Sequence, residues 1–376
     1  MKNNIYEIRQ QKIKQELRER EIDCIFITPS TNLFYITGLD FQNDERLLVM
    51  VLAKGKGSFI FLNQLYESQV KKKTNSVGID HVYIWEDGQD PYATFLAILL
   101  QEIPNLKKIA IDGKTPSFSS IPLINGLVSL KTGVKYILAD PLFSALRKYK
   151  NNTEMANIER ACELCNKALE WVIKKGEYWI GKTELELLNK LIEKMQALGL
   201  KNCGGIVATG ENTAYPHYVT SNTKIKNNSP LLIDFGGTYH HYYSDMTRTI
   251  FFGDSTDDFK KIYSIVLEAH LAAEKIAKIG MEYEKIDEVA RNYIKSKGYD
   301  SYFTHRTGHN IGLDVHEGDS LCAGNKEKLD EGNVFSIEPG IYLENKFGVR
   351  IENLFEIKNG RTLSLHSLTR NIIEIH

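Results

Sequence analysis

The sequence contains no long apolar run. Its longest candidate is the short stretch of residues 95–100, whereas a transmembrane helix needs about 20 consecutive apolar residues. The first residues also lack the apolar segment of a secretory signal. We therefore expect no membrane partner, and the sequence predicts a cytoplasmic protein.

Cysteine is scarce, and neither sign of charge is in excess. Five cysteines in 376 residues are too few, and odd in number, for a disulfide framework, so reduced thiols are expected. Lysine and arginine total 47 against 48 aspartates and glutamates, for a formal net charge of −1. Nucleic-acid-binding domains usually show a basic excess or stripe. No nucleic-acid partner is therefore expected.

What is present is the composition of an ordinary globular protein. Hydrophobic residues make up 42% and charged residues 25% of the chain. A length of 376 residues favours two domains. The alternation of helical and strand-like segments predicts an α/β amino-terminal domain over residues 1–145. An α+β carboxy-terminal domain is predicted over residues 153–376.

Local patterns predict several elements of the first domain. An apolar stripe of Ile5, Ile8, Ile13 and Leu17 indicates an initial helix. Two β-prone runs joined by a loop with two glycines predict a hairpin. The runs of that hairpin are residues 46–53 and 58–62, further strands are expected at 22–28, 81–85 and 108–112, and helices at 92–101 and 119–130.

The domain boundary is expected within a segment rich in lysine and asparagine, residues 142–152. Thr153 is the predicted N-cap of a long helix. A second helix should start at the capping box that begins with Thr183. Later helices are predicted over residues 257–278 and 283–297.

Acidic and imidazole side chains occur in the second domain where a core would not tolerate them alone. Asp234 ends an apolar run, and a carboxylate there is costly unless it is paired or binds a metal. Asp245 follows eleven residues later, an interval that suits two facing carboxylates on an antiparallel pair. Glu338 and Glu352 each follow an isoleucine in a strand-like segment. Three histidines, among them His309, lie within twelve residues.

These side chains form an oxygen-rich set of four carboxylates and an imidazole. Such a set favours manganese, with cobalt, iron or zinc as alternatives, and argues against a structural zinc site. Carboxylates that bridge could hold two divalent metal ions about 3.5–4 Å apart, with an acidified water as the nucleophile. The predicted chemistry is metal-assisted hydrolysis.

Five ordered motifs resemble the pita-bread metallopeptidases, in the branch of Xaa-Pro dipeptidases (prolidases) and Xaa-Pro aminopeptidases. The resemblance covers almost the whole chain, including residues 29–38 of the first domain. It implies an α/β creatinase-like amino-terminal domain and an α+β pita-bread catalytic domain. The five motifs are IDFG at 233–236, SDMTR at 244–248, GHNIG at 308–312, EPG at 338–340 and RIE at 350–352.

The resemblance implies a role for each metal-binding position. Asp234 would bind one metal ion, Asp245 and Glu352 would bridge both, and His309 with Glu338 would bind the other. Glu338 would also take the proton from the bridging water.

Other residues are implied to act on the substrate. The resemblance assigns His217, His305 and His316 to binding of the substrate and the reaction intermediate, with His316 near the oxyanion. It assigns Arg350 to orienting the neighbouring carboxylates. For His217 and His305 a purely supporting role in their loops is the alternative. Arg306 could bind a dipeptide's carboxylate bidentately or form a structural salt bridge.

The implied reaction is hydrolysis of the bond before proline in Xaa-Pro dipeptides, by a homodimer acting on short proline-containing peptides. The alternatives are an Xaa-Pro aminopeptidase on longer peptides, another carbon–nitrogen hydrolase on the same fold, and a silent peptide-binding module. The chain departs from the family pattern at Asn310, Asp319 and Asn353. Asn310 replaces a glycine, and asparagine tolerates positive φ.

Some residues with metal-like spacing are better explained by packing. Cys162 and Cys165 lie on an apolar helical stripe, which favours the core. His240 and His241 are adjacent, and adjacent residues of a strand point to opposite faces, so a turn is favoured. We assign no function to His366.

Overall fold

The structure is a computed structural model that describes residues 4–72, 79–131 and 133–376. The chain divides into two compact units, Met1–Leu146 and Arg147–His376. Within the described ranges, no helix combines the length and the apolar character that crossing a bilayer requires.

A six-stranded mixed sheet forms the centre of the first unit. Its strands are β1 (Cys24–Ile27), β2 (Val49–Ala53), β3 (Phe59–Asn63), β4 (His81–Trp85), β5 (Lys108–Ile111) and β6 (Lys135–Leu138). They lie in the order β4-β3-β2-β1-β5-β6. The predicted hairpin is confirmed, because β2 and β3 pair antiparallel with Val51 opposite Phe59. Strands β1, β5 and β6 are parallel, as expected of an α/β unit.

The first unit contains six α-helices in the residues described. They are α1 (Ile5–Glu19), α2 (Thr31–Thr37), α3 (Glu67–Lys71), α4 (Pro91–Glu102), α5 (Ser117–Leu130) and α6 (Asp140–Arg147). Helices α4 and α5 share an apolar core with the sheet. The predictions of α1, α4 and α5 are confirmed. Helix α6 occupies the first part of the segment in which the sequence places the domain boundary.

The buried face of α1 differs in part from the predicted stripe. Ile13 and Leu17 are fully buried, but Ile5 and Ile8 are exposed and Arg9 is buried. The guanidinium of Arg9 donates to the carbonyl of Tyr35 at 2.7 Å. A long-range hydrogen bond of this kind offsets the cost of burying the side chain, and hydrophobic periodicity does not reveal it.

Four helices belong to the second unit: α7 (Asn152–Lys174), α8 (Glu184–Ala197), α9 (Asp257–Ile276) and α10 (Tyr283–Ser296). The capping box of α8 is confirmed at Thr183. The N-cap of α7 is Asn151, and the prediction of Thr153 is wrong. The side chain of Asn151 accepts from the backbone N–H groups of Thr153 and Glu154, so the helix starts two residues earlier.

Strands that pair mostly antiparallel complete the second unit and confirm the α+β prediction. They are β7 (Lys201–Thr209), β8 (Ser229–Tyr239), β9 (Tyr242–Phe252), β10 (Gly308–His309), β11 (Ser320–Leu321), β12 (Val334–Ile337), β13 (Gly340–Leu343), β14 (Phe347–Arg350), β15 (Asn353–Lys358), β16 (Arg361–Ser364) and β17 (Glu374–Ile375). Strands β17-β9-β8-β7 form one sheet, and β12-β15-β16 form another. The exception to the antiparallel pairing is β17, which pairs parallel with β9.

Two apolar cores stabilise this unit. Helices α7 and α8 pack on the sheet of β7, β8 and β9 around Trp179 and Phe235. Helices α9 and α10 pack against β12, β14 and β15 around Tyr283 and Phe335. Strands β8, β9 and β10 and the connections next to β12 and β15 carry the polar side chains described next.

Candidate metal centre and active site

The hairpin of β8 and β9 presents the first two carboxylates. A two-residue turn, His240 and His241, joins the strands, and both residues have positive φ, as a tight hairpin turn requires. Asp234 lies opposite Thr247, and Asp245 lies opposite Gly236. The two carboxylates are therefore diagonal neighbours on one face of the sheet. The expected antiparallel pair is present, with Asp245 displaced by two residues from the position opposite Asp234.

Gly236 is required at this point of the hairpin. A Cβ atom there would lie 2.1 Å from the carbonyl oxygen of Ser244. The two backbones therefore approach closely here. Asp245 lies opposite Gly236, and its carboxylate lies beside that of Asp234.

The imidazole of His309 faces the carboxylates from β10. Its Nδ1 donates to the carbonyl of Asn310 at 3.2 Å, and the backbone N–H of His309 donates to Ser336 Oγ at 3.0 Å. Nε2 then lies 3.4 Å from Glu338 Oε1 and 3.8 Å from Asp245 Oδ2. Burial lowers the pKa of His309 to about 3, so the ring is neutral. Nε2 is an acceptor that faces other acceptors.

Glu352 completes this cluster between β14 and β15. Its Oε2 accepts from Thr247 Oγ1 at 2.7 Å, whereas its buried Oε1 has no hydrogen-bond partner in the part of the chain that the structure describes. One ligand atom each from Asp245, His309 and Glu352 lie within 4.8 Å of one another. Buried polar atoms rarely lack a partner, so an unpartnered carboxylate oxygen beside a neutral imidazole fits a bound cation.

Electrostatics lead to the same conclusion. Burial, followed by repulsion from the other carboxylates, raises the pKa of Asp245 and of Glu352 well above their ordinary values. Burial raises the pKa of Glu338 to about 7. These acids resist ionisation together unless positive charge lies among them. Carboxylate oxygens of Asp245, Glu338 and Glu352, together with Nε2 of His309, form a donor set that suits divalent cations.

A buried arginine holds the fourth carboxylate. Arg350 Nη2 donates to Asp234 Oδ2 at 2.7 Å, and Nη1 donates to the hydroxyl of Tyr342 at 2.8 Å. Tyr342 in turn donates to His305 Nε2 at 2.7 Å. Burial, followed by the charge of Arg350, lowers the pKa of His305 to about 4. A continuous set of hydrogen bonds thus links a neutral imidazole to the carboxylate cluster.

The other predicted histidines lie near this set. The rings of His309 and His316 meet edge to face, with centroids 4.3 Å apart. Burial first, and then nearby cations, lower the pKa of His316. His217 is exposed, and its charge contributes to lowering the pKa of both His305 and His316.

Arg306 is half-buried beside the histidines. Its Nη1 donates to Ser320 Oγ at 2.9 Å, and it is in no ion pair with the described residues. This geometry does not contain the structural salt bridge that the sequence left open as an alternative.

These side chains line one cavity of about 840 Å³. Such a volume is typical of small-ligand sites. All ten residues that sequence analysis proposed for the site line it: His217, Asp234, Asp245, His305, Arg306, His309, His316, Glu338, Arg350 and Glu352.

Sequence analysis missed several residues that support the site. Thr247 donates to the carboxylate of Glu352, and Tyr342 donates to the ring of His305, as described above. Arg248 is fully buried and donates to the backbone carbonyl of Glu352 at 2.6 Å and to Asn353 Oδ1 at 2.7 Å. Thr247 and Arg248 stand inside the SDMTR motif, but a single sequence does not show which neighbour each side chain reaches.

The structure also places Asn310, His366 and the cysteine pair. Asn310 forms a bridge with Phe335 and is not among the positive-φ residues, so the tolerance of asparagine for positive φ is not used at this position. His366, to which no function was assigned, donates from Nε2 to the backbone carbonyl of Asp245 at 2.9 Å. Cys162 and Cys165 are buried in the core, as predicted.

Residues 156–359 match the metallopeptidase family M24, and residues 9–149 match the creatinase/prolidase N-terminal domain. The chain belongs to the metallopeptidase family M24. It is therefore a peptidase that depends on divalent metal ions, and its two units have the creatinase-like and pita-bread folds that the motifs predicted.

Relatives of this M24 chain include an uncharacterised peptidase of Staphylococcus epidermidis, 32% identical over 91% of this chain and 94% of the relative. A prolidase from Thermococcus sibiricus superposes with a TM-score of 0.91 at 31% identity, covering 98% of this chain and 99% of that one. An X-Pro aminopeptidase from Thermotoga maritima superposes with a TM-score of 0.82 at 30% identity, covering 97% and 99%.

Proposed function

We propose that this M24 peptidase is an Xaa-Pro dipeptidase that cleaves the bond before proline with the help of two divalent metal ions. The observation that carries the proposal is the cluster of Asp245, His309 and Glu352, whose ligand atoms lie within 4.8 Å of one another. Asp234 and Glu338 line the same cavity. The structural likeness to the Thermococcus prolidase supports the choice of substrate.

The ten site residues divide into those that hold cations and those that handle the peptide. Asp234 would hold one cation, Asp245 and Glu352 would hold both, and His309 with Glu338 would hold the other. The unpartnered Oε1 of Glu352 supports its role as a cation ligand, and its Oε2 accepts from the hydroxyl of Thr247. The oxygen-rich donors favour manganese. When bound, the cations acidify a water molecule and polarise the scissile carbonyl.

The protein side chains move the protons and orient the peptide. Glu338, whose Oε1 lies 3.4 Å from His309 Nε2 in the cavity, would accept a proton from the attacking water. His316 is available as a neutral hydrogen-bonding group, because burial lowers the pKa of its ring. The ring of His305 is also neutral, but Arg306 O and the hydroxyl of Tyr342 already engage its two nitrogens, so His305 would orient its neighbours around the peptide. His217, on the exposed side of the cavity, would bind the peptide.

Arg306 supports a dipeptidase over an aminopeptidase. Its guanidinium lines the cavity, and its single described side-chain partner is a neutral hydroxyl. A half-buried guanidinium has further donors for a carboxylate. In a dipeptide the residue after the scissile bond is carboxyl-terminal, so that a carboxylate lies within the cavity. In a longer peptide the same position carries an amide.

The test compares Ala-Pro with Ala-Pro-Ala, using purified enzyme loaded with manganese, cobalt or zinc. We expect the larger kcat/KM for the dipeptide and the highest activity with manganese. Ala-Ala and chelator-treated enzyme serve as controls. A preference for the tripeptide would support the aminopeptidase alternative, to which the likeness to the Thermotoga enzyme points. Failure to cleave either peptide with any of the metals would refute the proposal.

We further propose that the enzyme is a cytoplasmic homodimer. The family resemblance supports the dimer, and five free cysteines, three of them buried, suit a reducing compartment. Sedimentation equilibrium should give about twice the chain mass of 42.9 kDa. A mass of a single chain at micromolar concentration would contradict the dimer.

A further inference from the structure

A fully buried carboxylate lies at the amino end of α8, outside the cluster described above. Glu184 has no exposed surface. Its Oε1 accepts from the backbone N–H of Thr209 at 2.7 Å and from Asn212 Nδ2 at 2.9 Å. Its Oε2 accepts from the hydroxyl of Tyr218 at 3.0 Å and from both the N–H and Oγ of Ser221, at 3.2 and 3.0 Å.

Five donors more than satisfy the acceptor positions of one carboxylate. A helix start needs only a cap, and Thr183 already supplies it through a capping box. The number of donors therefore exceeds what the formation of α8 requires. Their common feature is their place in the chain, because all belong to residues 209–221.

This segment carries His217 into the cavity. Thr209 ends β7, and Tyr218 and Ser221 follow His217 closely. Glu184 therefore contacts the chain on both sides of the histidine. Tyr218 is also joined to Asn212 and to Ser221 through its hydroxyl, at 2.8 Å each.

The histidine itself has little packing. His217 is exposed, although it lines the cavity with its neighbour Pro216. A side chain at a loop tip keeps a defined position only when the flanking backbone is held. The flanking residue with the most contacts to Glu184 and its partners is Tyr218, since its single hydroxyl reaches three of them.

We propose that Glu184 and Tyr218 are positioning residues, which act through the backbone of residues 209–221 to hold His217 at the mouth of the active-site cavity. The catalytic part of this inference rests on the proposed function, in which His217 binds the peptide. The structural part does not depend on it. Two measurements separate the two parts.

The first measurement is NMR of histidine ring signals in the zinc-loaded, full-length protein labelled with ¹³C-histidine, because zinc is diamagnetic and leaves the signals sharp. The chain has ten histidines, and His217→Ala identifies the signal of interest by its loss. Tyr218→Phe removes one hydroxyl and keeps the ring, so the fold should be retained. We expect the His217 signal to shift, broaden or split in this variant.

Tyr215→Phe is the matched control. Tyr215 lies on the same loop, stacked on Tyr218 with ring centroids 6.5 Å apart, and its hydroxyl is not part of the Glu184 cluster. It should leave the His217 signal in place. An unchanged His217 signal in Tyr218→Phe, or equal changes in both variants, would overturn the proposal whether or not the enzyme cleaves Xaa-Pro peptides.

The second measurement is a double-mutant cycle on Ala-Pro hydrolysis. Loss of one hydrogen bond of ordinary strength predicts a decrease of about 3- to 10-fold in kcat/KM for Tyr218→Phe, mainly through KM. In a His217→Ala background the same substitution should have no further effect, because the group that it positions is gone. Equal losses in both backgrounds would show that Tyr218 acts independently of His217 and would refute the positioning role.

Glu184→Gln gives an independent check with nearly the same shape. The amide replaces one acceptor by a donor, which must then face an N–H of Thr209 or of Ser221. We expect a larger change in the His217 signal than with Tyr218→Phe. If Glu184→Gln leaves the His217 signal as in the parent protein, the carboxylate of Glu184 does not position His217. If this variant does not fold, the Tyr218→Phe comparison still decides the question.

Discussion

Arg306 provides the sharpest prediction about substrate choice. Its guanidinium lines the cavity and donates to Ser320 Oγ at 2.9 Å. We propose that its remaining donors bind the carboxylate of a dipeptide. A hydrogen bond to a charged group contributes about 1.5–3 kcal/mol, and each 1.4 kcal/mol corresponds to a factor of ten. Arg306→Gln should therefore lower kcat/KM for Ala-Pro by about 10- to 100-fold.

The assay compares Ala-Pro with Ala-Pro amide, which lacks the carboxylate. The variant should hydrolyse the amide about as well as the parent enzyme does, since no charged partner is lost. Arg306→Lys is the matched control, because it keeps the charge and removes the planar fork. It should retain an intermediate preference for the free dipeptide. If Arg306→Gln reduces hydrolysis of both substrates equally, Arg306 does not recognise the carboxylate and the reasoning is refuted.

Three further predictions concern the metal centre. Asp245→Ala or Glu352→Ala should abolish Ala-Pro hydrolysis and reduce bound metal below two ions per chain, as measured by elemental analysis; two retained ions would contradict the bridging roles. In the metal-free protein the pKa values of Asp245, Glu338 and Glu352 are raised above those of the unfolded chain, so the folded state binds more protons than the unfolded state. The free energy of unfolding should therefore fall as pH rises from about 4.5 through about 7. Saturating manganese binds the ionised carboxylates, so the gain in melting temperature should be larger at pH 8 than at pH 5.5; an equal gain at both values would refute this linkage. Gly236→Ala places a Cβ 2.1 Å from Ser244 O, which should lower the melting temperature by several degrees and weaken metal binding. Gly181→Ala is the control. Gly181 is exposed and has open space around its Cβ but a positive φ of 83°, so the substitution should affect stability alone.

Local patterns determined much of this protein. The hairpin of β2 and β3 follows from two β-prone runs and a glycine-containing loop, because turn geometry is a short-range property. The start of α8 follows from Thr183 for the same reason. The five proposed metal ligands could be identified because each stands in a short motif, and all of them line one cavity.

Tertiary structure decided which side chains meet. Tyr342 joins His305 to Arg350 across 37 and 8 residues of sequence, and no local period indicates such a contact. Glu184 lies 33 residues before His217 in the sequence, yet its carboxylate gathers donors from both sides of that histidine.

The sequence by itself determined where the carboxylates and imidazoles stand along the chain and which strands and helices carry them. Only the folded structure decided that His309 Nε2 faces Glu338 and Asp245, and that one oxygen of Glu352 stays without a described partner. The reason is physical. Helix and strand periodicity depends on neighbours in sequence, whereas the desolvation and mutual repulsion that create a metal site depend on distances between residues far apart in the chain.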